Sequence, residues 1–224
     1  MAASKMLLSY LEQYALITLE KQDKLEALIA DSLHELELEA GKIRFDEYEI
    51  PVQVIGTESD NTLTWLWAWA DEQEELPADV MQSAIQLRTW GAGKGIPEFT
   101  TPSVDISTVD GQAIALIAAD VCKANCYYAD HYEGGAAYLL LFDRGIDQQP
   151  PFDRQRLLRR MTDLFSQYDL NHRNTLLSYL QKKELFPITE RNIISCELES
   201  RERLNAEFDD AGRLVMVNGA VFEI

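Results

Sequence analysis

The residue types best suited to chemistry in this chain are aromatic. Trp65, Trp67 and Trp69 fall at every second position of TLTWLWAWADEQEEL, residues 62–76. Alternate side chains of a strand share a face, so the indoles form a row with Thr64, Leu66 and Ala68 opposite. Such a row stacks on sugars, bases or other aromatic ligands, and Tyr127 and Tyr128 join it as ligand-binding candidates. The competing expectation is a core role. Each indole buries a large apolar area, and the opposite face is apolar enough for the strand to be covered on both sides. An intermediate arrangement has the indoles walling a cavity between a curved sheet and a helix.

Acid–base chemistry has one weak candidate pair, His131 and Asp130 in YYADHYEGG. Against it, side chains adjacent in sequence rarely aim at one proton, and a histidine beside an acid is common on a solvated loop. His34 and His172 show only polar, helix-like surroundings. Cys122 and Cys126, spaced one helical turn apart, would make half a zinc site, but no histidines at ligand spacing complete it. Small buried residues explain them, and Cys196, better. No metal and no cofactor are implied. GAGKG, residues 91–95, lacks the Ser or Thr and the strand–loop–helix context of a phosphate loop, and reads as a helix terminator. The acidic run 71–75, with Glu58 and Asp60, lacks calcium-loop spacing. It is a solvated loop or a docking surface for a basic partner.

The charge balance is the compositional outlier: 38 acidic against 20 basic residues in 224, a net charge of −18. Such a field disfavours nucleic acid and anionic membrane, which need clustered Lys and Arg. It suits a basic protein partner, or solubility alone. With 46% hydrophobic residues the chain can build a sizeable core. An odd set of three cysteines, an N-terminus broken by Glu12, Gln13 and Glu20, and no run of eighteen apolar residues lead to the expectation of a cytoplasmic protein.

These residues need elements to hold them. Leu25, Leu28, Ile29, Leu33 and Leu36 follow helical spacing, with Gly41 as the expected helix cap. Period two begins at Ile43 and Phe45, with Val52 and Val54 following; 62–70 is the returning strand. Pro77 reads as the first residue of a helix. A further helix is expected from Asp110 through Tyr128, then a turn at HYEGG and a central strand AAYLLLF. RGIDQQPPFD, 144–153, marks a boundary. Two helices and alternating segments with a DDAG hairpin turn follow it.

IGTESDNTLTWLWAWA, residues 55–70, and DGQAIALIAADVCKANCYYADHYEGGAAYLLLFD, residues 110–143, resemble a family of uncharacterised bacterial proteins, a domain of unknown function. The resemblance runs over about 25–143. It implies a bacterial cytoplasmic protein with one continuous α+β unit there, and transfers no catalytic residues.

The expectation is therefore an α+β protein: an antiparallel twisted sheet with long helices packed on one face, pictured as a cystatin-like cone. Residues 1–145 form the family-like region. Residues 150–224 form a helix–helix–hairpin region that extends the same sheet or makes a second lobe. The leading functional expectation is a non-enzymatic, acidic protein-binding module, an immunity or inhibitor protein in one version. The alternative is a small-molecule-binding protein or hydrolytic enzyme with a tryptophan-lined pocket.

Overall fold

Side-chain caps start several of the helices. The Ser4 hydroxyl accepts from Leu7 N (3.1 Å) and opens α1 (Lys5–Ile29). Asp110 opens α3 (Gly111–Val121), Asp153 opens α5 (Arg154–Gln167) and Asn171 opens α6 (His172–Lys182), each accepting from the amide three residues on. At the other end of α2 (Gln82–Lys94), Gly95 takes the left-handed conformation, φ 68°, so GAGKG ends a helix. The computed structural model describes residues 4–30, 32–70, 76–107, 110–147 and 153–222.

Two helices stop earlier than apolar spacing predicts. α1 ends at Ile29, and β1 (His34–Glu37) follows. The helical stripe runs through Leu25, Leu28 and Ile29, but HELELE from residue 34 alternates with period two, and the alternation wins. Gly41, at φ 62°, sits in the β1–β2 turn and caps no helix. α3 ends at Val121, so Cys122 is its C-cap while Cys126 opens β6 (Cys126–Tyr132). The two thiols therefore do not share a helical face. Pro77 lies in a turn before α2.

The structure groups into two compact units, Met1–Leu7 with Lys21–Gln149, and Leu8–Glu20 with Pro150–Ile224. The first contains β1, β2 (Lys42–Phe45), β3 (Tyr48–Ser59), β4 (Thr64–Trp67), β5 (Ser103–Asp105), β6, β7 (Gly135–Leu141) and the short α4 (Arg144–Asp147). All pairings are antiparallel, in the order β1-β2-β3-β4-β5, with β7 also on β3 and β6 on β7. β3 is twelve residues long, pairing with β2 through its first four residues and with β4 through its last four. The β3–β7 register shifts between Val54 and Gly56. That bulge sharpens the local twist and leaves Val54, Ile55 and Gly56 all buried in succession.

Each sheet face carries its own apolar layer. Val52, Val54, Leu139 and Leu141 cluster with Leu25 of α1, Val80 of the turn before α2 and Ala84 of α2. The opposite face presents Trp65, Trp67 and Tyr138, with α3 packed on β3, β6 and β7. Gly56 is where the indoles need space: a Cβ there would meet Leu66 O at 2.5 Å and Trp65 Cζ2 at 2.6 Å. The molecule is thus α+β, with a curled antiparallel sheet and helices.

The second unit is a meander, β8 (Ile188–Glu190), β9 (Ile193–Glu197), β10 (Arg203–Phe208), β11 (Leu214–Val217) and β12 (Ala220–Val221), in the order β12-β11-β10-β9-β8. Leu204, Ala206 and Phe208 of β10 point inward and Arg203, Asn205 and Glu207 outward or half-outward, the period-two signal the sequence carries. α5 and α6 belong to this unit, and so do residues 8–20 of α1, which the sequence division assigns to the first region. Glu20 is buried in this unit. Its carboxylate accepts from Tyr179 OH (3.0 Å) and lies 3.0 Å from Lys183 Nζ, which also reaches Glu199 (2.8 Å). Burial alone would lower the Lys183 pKa; Glu199 and Glu20 outweigh it and raise it. His172 stacks on Phe165 at 3.7 Å, and its Nδ1 accepts from Leu214 N (3.1 Å), so the ring is held neutral.

Two measurements follow from these contacts. Gly56→Ala should cost about 2 kcal/mol or more of stability by denaturant unfolding, because backbone or indole must move. Burial, then the Arg213 charge, holds the His172 pKa below its ordinary 6.5. The unfolded chain then binds a proton that the folded ring refuses, so stability falls as pH drops below about 6.5 and levels off below the folded value. A pH series of unfolding midpoints should show this step, and His172→Gln should remove it.

Candidate functional site: the acidic edge strand and its histidine

Among the described residues β1 ends the sheet order, so one side of its backbone is not part of the ladder. Its outer-face residues alternate with neighbours in β2 and β3: Glu35 lies opposite Arg44, Glu37 opposite Lys42, and Arg44 opposite Glu49. Lys42 Nζ donates to Glu49 (3.0 Å) and Arg44 pairs with Glu35. Hydrogen bonding to Glu49 raises the Lys42 pKa, and hydrogen bonding to Glu35 raises that of Arg44. Glu37, Glu39, Asp46 and Glu47 add further exposed carboxylates along this edge and its turns. The excess of charge is local to this unit: 24 acidic and 9 basic residues, −15 of the −18, against 14 and 11 in the other.

The inner side of β1 carries His34. Directly opposite is Phe45, with ring centroids 6.0 Å apart, and the Tyr128 ring stands edge-on at 5.3 Å. His34 Nε2 lies 2.9 Å from Asp130 Oδ1, and Tyr128 OH lies 3.2 Å from His34 Nδ1. Tyr128 and Asp130 are two apart on β6 and so share a face. The carboxylate selects the tautomer with a proton on Nε2. Nδ1 is then the acceptor and Tyr128 OH the donor, giving a Tyr–His–Asp chain that passes a proton or pins strand to strand. Burial, then the Asp130 charge, raises the Tyr128 pKa, which suits a proton donor better than a phenolate nucleophile.

The residues expected from sequence scatter around this cluster. Asp130 and His131 are consecutive on β6 and point to opposite sides; His131 is exposed, and the partner of Asp130 is His34. Tyr127 is buried, its backbone bonded twice to the Gln22 side chain and its ring stacked on Tyr138 at 6.4 Å. Trp65 and Trp67 are 0% exposed and meet edge-on at 5.4 Å. Trp67 Nε1 donates to Glu98 O (2.9 Å). Trp69 lies one step past β4 in a 3-10 turn, with the Arg88 guanidinium 4.1 Å over its ring. Glu58 has partners of its own: its carboxylate accepts from Gly111 N (2.7 Å) at the start of α3 and from Tyr138 OH (3.1 Å). The run 71–75 lies outside the described residues.

His34 is the functional candidate that sequence reasoning missed. The available signal was the alternation HELELE, hidden by the leucine spacing that precedes it. Among the described residues, no three metal-ligating side chains gather as a metal site, and no helix is long and apolar enough to cross a membrane. The tautomer can be read directly. At a pH where the His34 ring is neutral, its 15N NMR should show the Nε2–H form, and Asp130→Asn should convert it to a mixture while Tyr128→Phe leaves it. An Nδ1–H form in the unmodified protein would contradict the assignment.

Neither curated proteins nor solved structures give a match to this chain. A family model described as "Family of unknown function (DUF6882)" matches residues 8–144, which takes in the edge strand, its histidine, the tryptophan strand and α3. With more than half of its length matched, the chain belongs to that family of unknown function.

Proposed function

We propose that the protein is a non-enzymatic binding module that engages a basic protein partner through the acidic edge of its first unit. An immunity or inhibitor protein neutralising a cationic target is the concrete form of this reading. The observation that supports it is the concentration of the charge excess in the unit whose terminal strand β1 carries exposed carboxylates on a free edge. A partner segment adding to that edge would gain main-chain hydrogen bonds. The surrounding charge would raise its association rate more than its affinity. The strand is only four residues long, which limits self-pairing of the kind long open edges invite. The setting we propose is the bacterial cytoplasm, in keeping with three cysteines that remain free thiols. The tryptophan-pocket alternative draws no support from Trp65 and Trp67, which are fully buried.

The test is a pull-down from native-host lysate at low and high salt, run beside a Glu37→Lys/Glu39→Lys variant. Both positions are exposed, so the fold should be unchanged. The expected result is a basic protein captured at low salt, released at high salt and lost with the variant. Capture that ignores both salt and variant, or no capture, would overturn the reading.

A further inference from the structure

Three turns of the second unit frame a solvent-open cavity of about 540 Å3: the first turn of α6, the β8–β9 turn and the β10–β11 turn. Arg173 and Arg191 line it, as do Asp209 and Asp210, together with the amides of Asn174 and Asn192. The region lies beyond the residues that the family model matches, and the inference is independent of the partner reading above.

One of the arginines is unsatisfied. Arg173 donates one hydrogen bond, from Nη2 to the Arg191 carbonyl (3.0 Å), while its Nε is buried with no acceptor. A buried donor without a partner is costly, and an arriving acceptor would recover that cost. The aspartates of the same cavity do not supply it. Asp209 Oδ1 is engaged by its own turn, accepting from Ala211 N (2.9 Å) and Arg213 N (2.8 Å). Three amides at the start of α6 are already engaged. Asn171 N donates to Glu12 (2.9 Å), Arg173 N to Gly212 O (3.0 Å) and Asn174 N to its own cap (2.9 Å).

What remains is a polar cavity with guanidinium groups on two elements and carboxylates on a third. A simple anion would satisfy the arginines against the repulsion of the aspartates, and a simple cation the reverse. A molecule carrying both charges satisfies both. A planar guanidinium matches a carboxylate in two-point fashion, and the volume falls within the roughly 300–1,000 Å3 of small-molecule sites. We propose that this cavity binds a small zwitterion of the free amino-acid class, its carboxylate held by Arg173 and Arg191 and its ammonium by Asp209 and Asp210.

Isothermal titration of the full chain at low ionic strength with individual L-amino acids tests this. The N-acetyl and methyl-ester derivatives of the best binder, acetate and inorganic phosphate serve as comparisons. The expected result is saturable binding of at least one free amino acid, weakened about tenfold or more when either of its charges is blocked. Arg191→Gln and Asp210→Asn should each weaken it similarly. Both positions are exposed, so these variants keep the test sound where Arg173→Gln disturbs folding. No saturable binding by any amino acid, binding that survives both variants, or acetate or phosphate binding as tightly would overturn the proposal.

Discussion

The first unit depends on a close approach between one glycine and one indole. Gly56 stands opposite Trp67 in the β3–β4 ladder, and the Trp65 ring lies over it where any side chain would collide. From that contact the aromatic layer propagates without a gap, Trp65 to Tyr138 at 5.2 Å, Tyr138 to Tyr127, Trp65 to Trp67, and Trp67 to Phe99 at 5.2 Å. Edge-on and tilted pairs of this kind add directional preference to the area they bury. The layer therefore sets how β3, β4, β6 and β7 stack as well as how much water they exclude. Glu58, two residues along β3 on the same side, then ties Tyr138 to the first amide of α3. One face of the sheet thus holds its covering helix by both apolar packing and a charged cap.

A different principle operates in the second unit. Its sheet is small and local, each strand pairing with the next, and its helices are amphipathic. The polar exception is Glu20, buried beside Tyr179 and Lys183. A buried carboxylate is costly unless matched, so this group discriminates sharply among helix registers: a shift of α1 by one residue would strand the charge. Glu12, eight residues earlier on α1, works in the same direction by accepting from Asn171 N and Asn174 Nδ2 at the start of α6.

How much of this was legible in the sequence depended on distance along the chain. The tryptophan strand and the glycine before it lie within a dozen residues, and period two shows them as one hairpin. Asp110, Asp153 and Gly95 announced helix ends through local chemistry that tertiary context did not override. The helix boundary near residue 30 was misjudged because leucines at 25, 28, 33 and 36 fit a helical stripe, while alternation over a four-residue strand is too short to outweigh it. Tyr128 was assigned to a helix because alanine-rich spacing carries no mark of where α3 yields to β6. The His34 cluster was invisible for another reason. Its members lie 94 and 96 residues apart in the chain, and only the pairing of strands brings them together. Arg173, Arg191 and Asp209 likewise meet only once three turns converge.

The membership of residues 8–20 in the second unit carries a consequence for the order of events at the ribosome. Leu11, Leu16, Leu19 and Glu20 are translated well before α6 and Lys183, which belong to the same unit and hold Glu20. At about 10 residues per second, that interval is on the order of ten seconds. During it the first unit can complete its sheet, while an early segment bearing three leucines and a carboxylate waits for its neighbours. The nascent chain therefore displays an amphipathic helical segment until α6 has been made to receive it.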